Sequence, residues 1–399
     1  MLPRVKIIFE NGLIGSSSPM GDGVCGFVCT GVAVANKLEL NNPYLITQYG
    51  ALEDFGVSSE SSDLNATLHK FVKEFYDIAP QGSKLYFMCV ADTVKVSDMV
   101  DKTKEYGKKL IEYSKGDIRM LFACKQNSGV PTILDGLDND VMLAANNAQL
   151  LRTWAADVKF APCVVFLEGA CFNGTPADLL DLHKCELNGV GILIGDTVEN
   201  SKGAALGLLA GTLANIPVQR SIARVRTGAL PVTKLYVGDK AVENSDVEVI
   251  SDKGFISFRT FAGKSGYYFT DDKLATKTSD DYALIPRRRT IDKAFRIAYI
   301  TLLEELSEEL PVDNQGRIPA PTAKSIQNTV ERAIINNMTA YNNLGNDPSN
   351  QSDTGVECYI DTEQNVVANS KLGVKLRVKP YAYPKYIDCY LGFKVGELS

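Results

Sequence analysis

The chain has 399 residues, of which 45% are apolar and 23% are charged, and its formal net charge at pH 7 is −6. This length exceeds one ordinary hydrophobic core, so we expect two or three domains of globular and not disordered character. The acidic balance excludes broad, non-specific binding of nucleic acid, which needs an excess of Lys and Arg.

Apolar runs in the sequence are too short to cross a membrane, so no membrane insertion is expected. The run that follows the initial Met is also too short for a secretion signal, and we therefore expect the chain to stay in the cytoplasm where it is made. Most of the nine cysteines lie inside apolar stretches, which indicates reduced core residues and not a disulfide framework.

The first 80 residues contain strand-like pieces at residues 5–9 and 27–34 and a predicted helix at residues 64–76. They are interpreted as an N-terminal arm with a small α/β segment. Their pattern does not assign them to either of the later domains.

Residues 81–228 are predicted to form an α/β domain. Strand-length apolar runs alternate with helical segments, which favours a central parallel sheet covered by helices on both faces. These runs cover residues 85–90, 118–123, 163–167 and 190–194. The last helix of the domain carries Gly203, Gly207 and Gly211 at four-residue intervals, which predicts close packing against the sheet.

Residues 229–399 are predicted to form a mixed β and helical C-terminal domain of α+β type. Short strands are expected at residues 235–237, 247–250 and 255–261. Two helices follow. The first has apolar residues at helical spacing from Ile291 until Pro311 stops it, and the second covers residues 322–337.

The first of these helices has a charge order that its own dipole disfavours. Basic residues gather at its start and glutamates at its end, whereas the dipole favours the reverse by about 0.3–1 kcal/mol for each exposed terminal charge. We therefore interpret both groups as a contact surface between identical copies of the chain. The candidate interface residues are Arg287, Arg288, Arg289, Lys293, Arg296, Glu304, Glu305, Glu308 and Glu309.

Near its C-terminus the chain predicts a strand with one apolar and one basic face. Apolar and basic residues alternate along it, and lysines at such positions protect a sheet edge, although a terminal strand can also be donated to a neighbour. The apolar face, which completes the candidate interface, consists of Leu372, Val374, Leu376 and Val378. A further terminal strand is predicted at residues 387–395.

The sequence contains only weak matches to motifs for cofactor or metal binding. The sequence GDGVCG at residues 21–26 lacks the preceding strand of a dinucleotide site, and His183 with Cys163, Cys171 and Cys185 lacks zinc-finger spacing. Two functional alternatives stay open at this stage. One is a magnesium-dependent enzyme with Asp92, Glu168 and Asp196 at the carboxyl ends of the strands. The other is a nucleic-acid-binding module that uses residues 287–289.

The second half of the chain resembles tail sheath proteins of contractile phage tails and related injection machines, in particular divergent prophage families. The resemblance is carried by five segments in this order: SKGAALGLLAGTLANIPVQRSIARVRTGAL, GFISFRTF, YALIPRRRTIDKAFRIAYITLLEEL, TAKSIQNTVERAIINNM and VKPYAYPKYIDCYLGFKV.

The resemblance implies a structural protein without catalytic, cofactor or metal sites. Its copies would polymerise as stacked rings around a tail tube and contract to drive the tube through a cell envelope. Terminal arms would link neighbours by strand addition, with residues 5–9, 372–378 and 387–395 as candidates. The implied partners are other copies, a tail tube protein, and baseplate or tail terminator proteins. The implied location is the bacterial cytoplasm during assembly and then the virion tail.

Overall fold

A computed structural model describes residues 21–61, 64–126 and 129–393, in two compact units divided between Leu310 and Pro311. The strands of the first unit are β1 (Cys25–Thr30), β2 (Pro43–Ile46), β3 (Leu85–Val90), β4 (Met120–Cys124), β5 (Ile133–Leu134), β6 (Leu137–Asp138), β7 (Val164–Glu168), β8 (Glu186–Leu187), β9 (Val190–Leu193), β10 (Tyr236–Val237), β11 (Lys240–Ala241), β12 (Phe258–Phe261), β13 (Lys264–Phe269) and β14 (Ala275–Thr276). The second unit contains β15 (Val356–Ile360) and β16 (Val374–Val378).

Seven α-helices of the first unit lie in the described residues: α1 (Asn65–Tyr76), α2 (Val96–Met99), α3 (Gly107–Tyr113), α4 (Asp140–Lys159), α5 (Leu206–Asn215), α6 (Val247–Asp252) and α7 (Ile285–Leu303). The second unit contributes α8 (Ala320–Asn337) and the short α9 (Val366–Asn369). No helix in the described ranges is long and apolar enough to span a membrane.

The first unit is built on a six-stranded sheet in the order β2-β3-β1-β4-β7-β9. All neighbouring strands are parallel except β2, which runs antiparallel to β3. Phe27, Phe122 and Phe166 stack across three of these strands, with ring centroids 5.0 and 5.1 Å apart. The mostly parallel α/β sheet predicted from the apolar runs is therefore confirmed, with shifts of one or two residues at the strand ends.

The sheet begins earlier in the chain than the predicted domain start at residue 81. β1 lies between β3 and β4 with Cys25 opposite Leu85 on one side and Met120 on the other. Helix α1 also contributes Leu68 and Phe71 to the core of this sheet. The structure likewise gives no break at residue 229, because β10 to β14 and α7 belong to the same compact unit as the sheet.

Two local predictions are wrong. Residues 247–250 form α6 and not a strand, because a short run that alternates Val and Glu also suits one helical turn with Ile250 buried inward. Helix α7 ends at Leu303 and not at Leu310. Ser307 has φ 68°, a left-handed backbone conformation that an α-helix cannot contain.

The second unit packs α8 against a two-stranded antiparallel sheet. Ile326, Val330 and Ile334 are buried on α8, and Cys358 and Ile360 are buried on β15. The backbone N–H of Cys358 donates to Glu331 of α8 at 2.9 Å, which ties helix to sheet. The helix predicted at residues 322–337 is confirmed.

Gly207 and Gly211 of α5 allow close approach of α1, and not of the sheet as the sequence had indicated, whereas Gly203, which precedes α5, lies against Glu168 of the sheet. A Cβ atom on Gly207 would lie 2.5 Å from the carbonyl oxygen of Phe71 and 2.7 Å from Cβ of Glu74. We expect Gly207→Ala to lower the free energy of unfolding by about 1–3 kcal/mol through overpacking, offset by no more than about 1 kcal/mol of helix propensity.

Urea denaturation measures this effect. The matched control is Gly50→Ala, because a Cβ atom there meets nothing within 4 Å. That variant should change stability by less than about 0.5 kcal/mol. Equal stability of the two variants would mean that α1 and α5 do not pack as closely as the structure shows.

Candidate assembly interface

The basic residues at the start of α7 face the interior of the first unit. Arg288, Arg289, Lys293 and Arg296 are between 3% and 8% exposed, and Arg287 is half-buried. The exposed basic patch expected from the sequence is therefore absent for these four residues, and a nucleic-acid site on the arginine triplet keeps only the half-buried Arg287.

Asp22 forms ion pairs with two of these buried cations. Lys293 Nζ lies 2.6 Å from Asp22 Oδ2, and Arg296 Nη2 lies 3.3 Å from Asp22 Oδ1. Arg289 donates from Nη2 to the carbonyl oxygen of Leu213 at 2.9 Å and to that of Asp22 at 3.3 Å. Helix α7 therefore holds the segment that leads into β1 and the end of α5.

A second acid lies on α7 itself. Asp292 Oδ1 accepts from Arg288 Nη2 at 2.6 Å and from Arg152 Nη2 of α4 at 3.1 Å. Burial raises the pKa of Asp292 to about 6, although Arg152 and Arg296 act in the opposite direction. The ion pair between Asp292 and Arg152 connects α7 to α4.

The charge order of α7 thus has an explanation inside the chain. Burial alone would raise the pKa of Asp22, but Lys293, Arg296 and Arg289 overcome that effect and hold the pKa below its ordinary value of 3.8. Burial also lowers the pKa of Arg289 to about 10. The cost of cations at a helix start is small beside the attraction to an ionised aspartate in a site of low dielectric constant.

The acids that follow α7 remain accessible. Glu304, Glu308 and Glu309 are exposed and Glu305 is half-buried. Nothing in the structure contradicts their place in the candidate interface, which stays a prediction.

The basic strand near the C-terminus has the alternation that the sequence indicated. Leu372, Val374, Leu376 and Val378 are half-buried, whereas the residues between them are exposed. β16 pairs antiparallel with β15, with Val374 opposite Ile360 and Val378 opposite Val356. The strand therefore completes a sheet in its own unit, while its outer edge pairs with no strand of the described chain.

The segment beyond β16 behaves differently from the prediction. Its described part, residues 381–393, contains no strand. Tyr381 and Tyr383 are half-buried, whereas the large apolar side chains from Tyr386 to Phe393 are between 82% and 100% exposed. A strand needs a partner for its backbone N–H and C=O groups. The strand predicted at residues 5–9 lies outside the described residues.

Two of the three carboxylates proposed to hold magnesium accept hydrogen bonds within the fold. Glu168 accepts backbone N–H groups from Lys125 at 2.9 Å and Ala204 at 3.1 Å, and Asp196 accepts from Lys70, Thr197 and Ser201. Asp92 is exposed at the surface. Within the described ranges no three acidic, His or Cys side chains form a group that could hold a metal ion.

Asp196 belongs to a buried network with Glu74 and Lys70 between α1 and the sheet. Lys70 pairs with Asp196 and lies 3.6 Å from Glu74, and Thr197 donates to Glu74 at 2.8 Å. Burial raises the pKa of Glu74 to about 7 and that of Glu168 to about 8, against the lowering effect of Lys70 on both. The network fixes α1 over the carboxyl edge of the sheet.

Both parts of the chain match models of one protein family. Residues 2–273 match DUF2586, N-terminal domain, and residues 281–396 match DUF2586, C-terminal domain. The chain belongs to the DUF2586 family. No curated protein is similar enough to this DUF2586 chain to count as a match.

Solved structures share the fold of this DUF2586 chain over its whole length. A chain of the anti-feeding prophage (AFP) baseplate has a TM-score of 0.64 at 13% identity, with 99% of each chain covered. A chain of the PVC sheath complex, an extracellular contractile injection system in its contracted state, has a TM-score of 0.62 at 14% identity, with 99% of this chain and 98% of that chain covered. The central mostly parallel sheet with its helices is thus similar to sheath protein folds.

Sequence analysis missed the residue on which the α7 cluster depends. Asp22 lies within the glycine-rich GDGVCG stretch, more than 260 residues from its partners, and a single sequence carries no signal of that pairing. The excess of cations at the start of α7 is the one local signal, and it was interpreted as a contact surface between copies.

We expect Asp22→Asn in the DUF2586 chain to lower the free energy of unfolding by about 3–5 kcal/mol, because it leaves Lys293 and Arg296 buried without their counter-charge. The matched control is Asp77→Asn, which breaks an exposed ion pair with Lys73 and should cost less than about 1 kcal/mol. Thermal or urea unfolding compares the two. Equal losses would show that the Asp22 pairs do not hold α7 in place.

The raised pKa of Glu168 predicts a pH dependence. Because the folded value of about 8 exceeds the ordinary 4.5, its contribution to stability is fully present below pH 4.5 and is lost as the pH rises through 8. A difference of one in pKa corresponds to about 1.4 kcal/mol. In Glu168→Gln the fall in stability between pH 5 and 8 should be shallower, and identical slopes in urea unfolding would contradict the assignment.

Proposed function

We propose that this chain is a structural subunit of a contractile tail sheath, which polymerises as stacked rings around a tail tube and contracts to drive the tube through a cell envelope. The observation that carries the proposal is fold similarity along 99% of the chain to proteins of an AFP baseplate and of a contracted PVC sheath. Such a subunit works by changing its contacts with neighbours and needs no catalytic site.

The proposed linkage between copies uses the second unit and the C-terminal tail. The outer edge of β16 offers unpaired backbone groups to an incoming strand. The tail supplies a candidate strand, because Ile387, Leu391 and Phe393 are exposed in its described part. Strand addition would keep copies connected through backbone hydrogen bonds while other surfaces change partners during contraction.

The exposed glutamates after α7 are the charged part of the proposed interface. Glu304, Glu305, Glu308 and Glu309 would meet a basic surface on an adjoining protein, whereas the buried cations of α7 would serve the fold of the subunit itself. The proposed partners are further copies of the chain, a tail tube protein, and baseplate or tail terminator proteins. Assembly would take place in the bacterial cytoplasm before the particle is released.

Removal of residues 381–399 tests this linkage. We expect the truncated chain to fold with nearly the stability of the full chain, since the described part of the tail contributes no fully buried side chain and only two half-buried ones, Tyr381 and Tyr383. It should fail to form ordered rings or tubes. Negative-stain microscopy and analytical ultracentrifugation measure assembly, and circular dichroism measures folding.

Removal of residues 371–399 is the matched comparison, because it also deletes β16 and uncovers Cys358 and Ile360 of β15. That chain should be unstable as well as unable to assemble. Ordered particles formed by the chain that lacks only residues 381–399 would contradict the linking role of the tail.

A further inference from the structure

Helix α7 buries most of its charged residues and exposes part of its apolar ones. These charged residues are buried together with Ile285, Ala294 and Ile297, whereas a further apolar row is half-buried or exposed, with Phe295 at 39% and Leu303 at 45%. We call this row the outer stripe; it consists of Ile291, Phe295, Tyr299, Leu302 and Leu303. An amphipathic helix normally turns such a row toward a core. An apolar row turned outward marks a contact surface.

The neighbouring helix α4 extends this surface. Arg152 of α4 pairs with Asp292, and further along both helices Phe160 stacks on Tyr299, with ring centroids 4.5 Å apart and planes 8° apart. Two contacts in the same order fix α4 and α7 side by side and in the same direction. The 43% exposed ring of Phe160 therefore borders the outer stripe and widens it.

Charge distinguishes the two ends of this surface. The exposed side chains of Glu304, Glu308 and Glu309 follow directly after Leu303. A partner that covers the outer stripe must therefore combine an apolar or aromatic side chain with lysines or arginines placed to one side of it. Long basic side chains suit such a surface, because their methylene stems cover apolar groups while their charged ends reach the acids.

The second unit carries a face of that description. On the exposed face of the β15–β16 hairpin Tyr359 lies opposite Lys375 and Glu357 lies opposite Arg377, and Tyr359 is 50% exposed. Lys375 Nζ lies 5.8 Å from the centre of the Tyr359 ring. Lys371, three residues before β16, is a further exposed cation. The hairpin face thus combines one aromatic ring with two exposed cations and one acid, and Lys371 follows close by in the chain.

We infer that the outer stripe, with Phe160 and the glutamates that follow α7, binds the exposed β15–β16 face of a second copy of this chain. The inference rests on the proposed sheath function, which requires repeated contacts between copies. Tyr359 would cover the stripe near Leu303, and Lys375 and Arg377 would reach Glu304 and Glu308. The face of the hairpin is distinct from its edge, so strand addition can occur at the same time.

Charge exchange tests the contact. Two triple variants reverse the charges of one side each. The first carries Glu304→Lys, Glu308→Lys and Glu309→Lys, and the second carries Lys371→Glu, Lys375→Glu and Arg377→Glu. Each should reduce the assembled fraction that sediments at least tenfold. The two sets combined in one chain should restore it, because opposite charges again face each other. A control chain with Glu53→Lys, Asp54→Lys and Glu60→Lys carries the same charge change on exposed acids elsewhere and should assemble normally.

Cross-linking identifies which copy supplies the hairpin. In a Cys389→Ser background, one tagged chain carries Leu303→Cys and a second, untagged chain carries Tyr359→Cys, and the two are mixed at high concentration under mild oxidation. A disulfide between chains is expected. If it forms without ordered particles, the contact stands and the sheath proposal fails. If ordered particles form but the disulfide does not, or if the combined charge exchange does not restore assembly, the contact is overturned and the sheath proposal stands. If neither particles nor the disulfide form, both proposals are overturned.

Discussion

The buried ion pairs between Asp22 and the cations of α7 determine how the first unit is arranged. They bring the segment that precedes β1 to a helix more than 260 residues later in the chain, and they draw the polar face of that helix into the interior. Lys293 and Arg296 occupy part of the inward face of α7 beside Ile297, and apolar residues such as Phe295 lie on the outward face. One electrostatic interaction thus sets both the closure of the unit and the character of its surface.

The sheet could be predicted from the sequence because its signals are local. Uninterrupted apolar runs such as residues 85–90 and 163–167 are typical of strands buried on both faces. The place of β1 between β3 and β4 could not be predicted, because the order of strands depends on pairing between distant segments. The short run at residues 247–250 suits a strand or one helical turn, and only its packing decides.

The candidate interface shows the same limit. The glutamates after α7 and the alternation in β16 were recognised, since each is a property of neighbouring residues. The burial of Arg289 was not, because it depends on the carbonyl groups of Asp22 and Leu213, neither of which is near in sequence. Residues 387–393 have the composition of a strand, yet in the described chain they pair with no other strand, which composition alone could not indicate.

These features suit a protein whose copies contact one another at several surfaces of different kinds. Backbone edges and exposed apolar tails form connections that tolerate movement, whereas charged surfaces exchange partners at low cost. A rigid first unit, closed by buried ion pairs, would transmit displacement between such contacts without unfolding. The most direct test is a cryo-electron microscopy reconstruction of the assembled particle. The proposed assembly predicts that neighbouring copies cover the outer stripe of α7 and pair with the C-terminal tail, with Asp22 and Lys293 still joined within one chain. A particle in which that stripe and the tail remain open to solvent would contradict it.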